Sequence, residues 1–363
     1  MIVKYIHKAL TVLLTLLLFL GLSQFTSCQV NSTDSRLMAS TKSKNKHRGA
    51  HVFGSIDSVN MLPLKEINIE WVTLVPFGAQ ENISSPHVIN NRGDSLRMRK
   101  RNNRWLEKIK VAKEAGFKVF VKPHIWLTSP ENGKWRSDIY PKNEADWQQW
   151  KKSYNHFIMR YARLAEEANA EIFCIGAELT KLSTEKPEYW KQLIADIRKI
   201  YSGQLTYAAN WYEEYEQITF WDKLDYIGIQ AYFPLTDSKL ASTEEIEKGW
   251  DNHIAKLEEI HKKYNKQILF TELGYKSTAD SAIKPWEWID YMNDNSKQES
   301  QETQANCYEA FFEKVWQQNW FAGVHLWQWR TDHAENRRGK THLDFTPQGK
   351  QAEQIIRDGF LGK

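Results

Sequence analysis

Eight short apolar runs, separated by segments of helical periodicity, recur along most of this 363-residue chain. They cover residues 51–56, 69–75, 118–124, 172–177, 205–209, 226–231, 268–271 and 324–327. Most are continuous rather than alternating, which is the pattern of strands buried on both faces. Between them, residues 105–115 are amphipathic and stop at Gly116, and residues 147–168 form a longer amphipathic stretch. Pro187 suits the first position of a helix whose apolar face is Trp190, Leu193, Ile194 and Ile197. Residues 244–264, 309–318 and 349–360 complete the helical set. Such alternation predicts a parallel sheet with right-handed crossovers, and eight strands of this kind close into a single-domain (β/α)8 barrel of the α/β class. An open doubly wound sheet competes with that reading. It would be favoured by a glycine-rich phosphate loop, and neither G-x-G-x-x-G nor G-x-x-x-x-G-K occurs.

The ends of the chain and its charge set further bounds. Lys4, His7 and Lys8 precede an apolar run from residue 9 to 22, followed by Phe25-Thr26-Ser27-Cys28. A basic start, a short apolar stretch and small residues before the cut read as an export signal over residues 1–27. Cys28 resembles the acceptor of a bacterial lipoprotein signal, so the expectation is a lipidated, membrane-anchored protein at the cell envelope or surface, with simple secretion as the alternative. Residues 28–47, rich in Ser, Thr, Lys and Asn, read as a flexible tether, and residues 48–363 as the barrel. The formal charge of +4 falls to about +2 without the signal, and the basic residues of 42–48 sit in the tether. Neither gives the clustered footprint that nucleic acid requires. Only Cys174 and Cys307 remain beyond Cys28, too few for a disulfide framework, and no Cys/His spacing suggests a metal. No cofactor is called for, and a monomer is the expectation.

In a barrel the active site lies at the C-terminal ends of the strands. Two carboxylates directly follow apolar runs there, Glu178 on the fourth strand and Glu272 on the seventh. A pair of carboxyl groups facing one another across a barrel mouth suits glycoside cleavage, and a separation of about 5 to 5.5 Å would imply a retaining mechanism. The other strand ends supply Lys122, His124 and Trp126, then Asn210 and Trp211, Tyr232, and finally Trp327 and Trp329. The chain holds 16 Trp, and flat aromatic faces at strand ends suit sugar rings. These eight residues are therefore the candidates for substrate binding. Lys122 and His124 alternate about Pro123 and share one side of their strand. Tyr232 is placed to donate its hydroxyl to Glu272 and hold it ionised.

Several stretches resemble glycoside hydrolase family 113, within the clan of retaining TIM-barrel glycosidases with catalytic Glu on strands four and seven. They are residues 68–76 (NIEWVTLVP), 121–126 (VKPHIW), 173–179 (FCIGAEL), 224–234 (LDYIGIQAYFP), 268–275 (ILFTELGY) and 345–350 (FTPQGK). The resemblance spreads over nearly all of the chain after the tether. It implies endo-β-1,4-mannanase-like activity on a β-mannan or related β-glycan, with Glu178 as acid/base and Glu272 as nucleophile. Much of the clan places Asn before the acid/base, where it holds the sugar 2-hydroxyl; here the residue is Ala177, and Asn210 or another strand-end donor is the candidate substitute. Two alternatives stand beside this reading. One is a non-catalytic surface glycan-binding barrel, and the other is a hydrolase of a different β-glycan.

Overall fold

The computed structural model describes residues 46–89, 95–131, 133–289, 297–332 and 341–363. The export signal, Cys28 and the tether up to residue 45 lie outside the described residues. Ten strands occur among those described: β1 His47–Phe53, β2 Trp71–Leu74, β3 Phe77–Gln80, β4 Lys118–Val121, β5 His124–Leu127, β6 Ile172–Ala177, β7 Gln204–Asn210, β8 Ile227–Gln230, β9 Ile268–Leu273 and β10 Phe321–Arg330. Eight of them, all parallel, close into a barrel in the order β1-β10-β9-β8-β7-β6-β4-β2. Helices follow the strands, as the right-handed crossover requires. The chain is thus a (β/α)8 barrel, and β6 and β9 are its fourth and seventh strands.

The strands form where the apolar runs predict, because residues such as those of β2, β6 and β9 are buried on both faces, against the barrel interior and the helical ring. Helix starts are fixed by short polar side chains. Asn143, Ser242 and Ser300 each accept a hydrogen bond from the backbone N–H three residues on, opening the helices Glu144–Glu167, Thr243–Tyr264 and Gln301–Lys314. Pro187 opens Pro187–Arg198, whose buried face is Trp190, Leu193, Ile194 and Ile197. Gly116 ends the helix Ser95–Glu114 at a φ of 82°, a conformation that favours a residue without Cβ.

Four features differ from the sequence reading. First, β1 begins at His47, the last residue assigned to the tether; its ring turns inward and stacks on Trp71, with centroids 4.0 Å apart. Second, the third apolar run divides. Its first half is β4 in the barrel, while His124–Leu127 leaves it and pairs as β5 with β3, extending the barrel wall with a two-stranded parallel sheet. Third, the helix read at 105–115 starts ten residues earlier, at Ser95, and the one read at 309–318 starts at Gln301. The basic and polar residues of 97–104 and the polar first turn at 301–304 hid both starts. Fourth, β10 runs on through Arg330. Among the described residues, no helix is long and apolar enough to cross a membrane.

Candidate active site

Glu272 lies within β9, buried at the barrel mouth. Its Oε1 meets Lys122 Nζ at 2.6 Å, and its Oε2 accepts a 2.8 Å hydrogen bond from the Tyr232 hydroxyl. The Nε2 atoms of His51 and His124 each stand 3.8 Å from Oε1. Burial pushes the Glu272 carboxyl up, the Lys122 ammonium pulls it back, and the neighbouring charge of Glu178 adds to the rise. Both histidines are held well below their ordinary values, by burial first and then by Lys122, so they are neutral.

Glu178 follows β6 directly and is bound by a different set of donors. Trp135 Nε1 donates to Oε2 at 3.0 Å, Arg136 Nε forms an ion pair with the same oxygen at 3.0 Å, and Gln230 Nε2 donates to Oε1. Gln230 sits on β8 in register with Glu272 on β9. One side chain therefore reaches from the strand beside the first carboxylate to touch the second. Glu178 has a φ of 54°, the left-handed region, which costs a residue with a Cβ about 1–3 kcal/mol. The turn is held by Glu178 N–H donating to Ala208 O at 2.9 Å and Leu179 N–H donating to the Tyr207 hydroxyl at 2.8 Å. Tyr207 in turn donates to the buried Glu214 carboxylate, which also accepts from Ser183, Thr180 and the backbone N–H of Asn210.

Arg136 ties the two halves together. Its guanidinium donates to His124 Nδ1 at 2.7 Å. A guanidinium only donates, so Nδ1 accepts and the ring proton sits on Nε2, facing Glu272. Each carboxylate thus has one cation, Lys122 or Arg136, and the imidazole of His124 stands between the two pairs.

Aromatic rings surround this centre. Trp327, Tyr232 and Phe345 form a buried cluster at the mouth, with Phe53 and Trp211 packed against it. Trp126, 51% exposed, stands edge-on to Trp135 with centroids 6.1 Å apart. Trp211 stacks on Trp286, and Trp288, 57% exposed, stands edge-on to Trp327. The structure therefore brings Glu178, Glu272, Lys122, His124, Tyr232 and Trp327 together, with Trp126 and Trp211 at the rim. Asn210 is set back, its side-chain amide committed to Thr180 Oγ1 at 2.9 Å. Trp329 is not brought to the site and is removed from the substrate-binding candidates. It is 3% exposed and lies in the main core. Between Ala50↔Leu326 and Val52↔Trp329 the register slips by one residue, so Trp329 shares the outer face with Leu326 and Val52 instead of following Trp327 inward.

Sequence reasoning missed Trp135, Arg136, Gln230, His51, Trp286 and Trp288 as site residues. Gln230 was readable as a polar strand end and His51 as a polar residue in an apolar run. Trp135, Trp286 and Trp288 lie in loops and Arg136 in a three-residue 3-10 turn, where no periodicity marks them. Among the described residues, no group of three or more His, Cys, Asp or Glu is placed to hold a metal.

A closed parallel barrel carrying two buried carboxylates at the mouth ends of its fourth and seventh strands, ringed by aromatic faces, has the architecture of a glycoside hydrolase. The model of glycoside hydrolase family 113 matches residues 45–350, and the chain belongs to that family. Solved structures agree. A GH113 β-1,4-mannanase is 26% identical with a TM-score of 0.72, the match covering 88% of this chain and 100% of that one. A GH113 β-mannanase from Alicyclobacillus acidocaldarius is 25% identical with a TM-score of 0.71, covering 88% and 98%. A β-glucuronidase from Ruminococcus gnavus, 14% identical with a TM-score of 0.55 and covering 87% of this chain but 50% of that one, shares the fold alone. No curated protein matches the sequence.

Proposed function

We propose that this glycoside hydrolase is a retaining endo-β-1,4-mannanase, with Glu272 as nucleophile and Glu178 as acid/base. The observation that carries the reading is the different treatment of the two carboxylates. Glu272 is fully enclosed, with a buried ammonium on one oxygen and a phenol on the other. Glu178 stands at the mouth beside the half-open Trp135 and is bound by groups of the loop after β5. A nucleophile needs fixed, ionised oxygens, while an acid/base must exchange protons with leaving group and water. In this mechanism Glu178 gives its proton to the glycosidic oxygen as Glu272 attacks the anomeric carbon. Glu178 then takes a proton from the water that releases the sugar. The two mannanase relatives support the choice of sugar.

The test is a product-profiled screen of mannan, manno-oligosaccharides and other β-glycans, with Glu178→Gln and Glu272→Gln alongside. The expected result is new reducing ends from mannan whose first-formed anomer, read before mutarotation, is β, and a loss of about 10⁴-fold or more in each variant with the fold intact, as removing an essential nucleophile or acid implies. Turnover near that of the parent in either variant overturns the assignment. Retention on immobilised mannan without cleavage would instead favour a binding barrel. We also propose export and lipidation at Cys28, a reading that rests on residues 1–28 alone; metabolic labelling with a clickable fatty acid, lost in Cys28→Ala, tests it.

A further inference from the structure

Lys122 sits at the floor of this site, wholly buried, on the residue directly after β4. An ammonium has three N–H donors and no acceptor. Three acceptors surround Nζ: Glu272 Oε1 at 2.6 Å, the Thr271 carbonyl at 3.2 Å and His51 Nε2 at 3.3 Å. The imidazole is set to accept, because its Nδ1 lies 3.2 Å from the Leu326 carbonyl and must carry the ring proton to donate there. A protonated lysine is therefore fully satisfied at this point without water, and no donor is left over for a sugar hydroxyl. That separates Lys122 from the substrate-binding role its strand-end position suggested.

The two oxygens of Glu272 are consequently unequal. Oε1 is held by a charge-assisted bond inside a shell of three nitrogens, those of Lys122, His51 and His124. Oε2 is held by one uncharged donor, the Tyr232 phenol, and has no ion pair of its own among the described residues. We propose that Lys122 is the positioning residue of the nucleophile: it reserves Oε1 and keeps the carboxylate charged, so that Oε2 is the atom that bonds to the anomeric carbon. The proposal rests on the retaining mechanism above. The charged and titratable groups around Glu272 are Lys122 after β4, His51 on β1, His124 on β5, Tyr232 after β8, Glu178 after β6 and the buried Cys174 thiol on β6, which burial holds protonated. Lys122 is the only cation in direct contact with it among the described residues. Burial works against charge on both partners, so each depends on the other to stay ionised.

The test uses 2-deoxy-2-fluoro-β-mannosyl and β-glucosyl fluorides. Oε2 attacks C1, the C1–F bond breaks, and its electron pair leaves on fluoride. No proton from Glu178 is needed, so the acidic limb of the inactivation rate reports the ionisation of Glu272 alone. The parent protein is expected to be labelled at Glu272, read by peptide mass spectrometry. Lys122→Met is expected to move the acidic limb upward by about one pH unit or more and to slow labelling below it. Lys122→Gln, which keeps two N–H donors but no charge, should move the limb in the same direction with a smaller loss of maximal rate, and it stands in if the methionine variant does not fold. An unmoved limb in a folded variant that still labels Glu272 overturns the proposal. So does a crystal structure of the trapped intermediate with C1 on Oε1; C1 on Oε2, with Lys122 still against Oε1, supports it. Failure of both probes to label the parent protein overturns the retaining-hydrolase reading itself, a separate result.

Discussion

Trp135 and Arg136 converge on the same oxygen of Glu178, and neither belongs to a strand. The Arg136 guanidinium also lies 4.5 Å from the centre of the Trp135 ring, so the pair behaves as one unit that the loop after β5 delivers to the mouth. A hydrogen bond to a charged group contributes about 1.5–3 kcal/mol. Trp135→Phe keeps the ring and removes the N–H. With Glu178 as the proposed acid/base, it should therefore lower kcat/KM about 10- to 100-fold on glycosides with poor leaving groups, which depend on protonation of the leaving oxygen. Dinitrophenyl glycosides, which do not, should be little affected. Equal losses on both classes of substrate would mean that Trp135 acts only as a sugar platform. At this scale the sequence exposed what strand ends carry, including Glu178, Glu272, Lys122, His124 and Tyr232. It did not expose what loops carry, because a loop residue is placed by the folds of its own backbone and not by a repeat.

At the scale of elements, β10 shows how much one slip in register decides. Simple alternation puts Trp327 and Trp329 on the same side, and the extra residue of β10 opposite β1 separates them. Trp327 stays at the mouth with Tyr232 and Phe345, and Trp329 turns to the core. Trp329→Ala should accordingly destabilise the fold by about 3–5 kcal/mol, with little change in kcat/KM of the protein that remains folded. Trp288→Ala, which alters an exposed ring over Trp327, should do the reverse: unchanged urea midpoint and weaker binding of oligosaccharides. Urea titration followed by kinetics on the same preparations distinguishes the two. A raised KM with an unchanged midpoint in Trp329→Ala would return that residue to the site. The same scale explains the division of the third apolar run: Lys122 and Pro123 bridge two strands that belong to different sheets, and continuous apolar character cannot show where pairing partners change.

Across the whole molecule, several polar groups are buried in the barrel interior and at its mouth. His47, His51, His124 and His325 are all buried, with Thr73 bonded to His325 at 2.7 Å and His47 standing 3.4 Å from the same ring. Burial holds each histidine neutral, with His47 down to about 3 and the others well below the usual value. In the unfolded chain each titrates near pH 6.5. The unfolded state thus binds more protons below that pH, and stability must fall as the pH drops from about 6.5 toward the folded values. Each histidine contributes a slope of about 1.4 kcal/mol per pH unit over most of that window. His47→Gln should be less steep than the parent by about that amount between roughly pH 5.5 and 4, measured as unfolding free energy in urea. A parallel pair of curves would mean that His47 is charged in the folded protein.

The apolar runs and the helical periodicity between them predicted a barrel, and with it the strand ends on which Glu178 and Glu272 stand. That follows because burial on both faces and helical periodicity are local properties, written residue by residue. Only the tertiary structure decided which cation serves which carboxylate, that Arg136 and Trp135 reach Glu178 from a loop, and that Trp329 leaves the mouth. Those outcomes depend on strand register and on contacts between residues far apart in the chain, such as Lys122 with Glu272 or Gln230 with Glu178, and no local pattern of apolar and polar residues encodes a long-range distance.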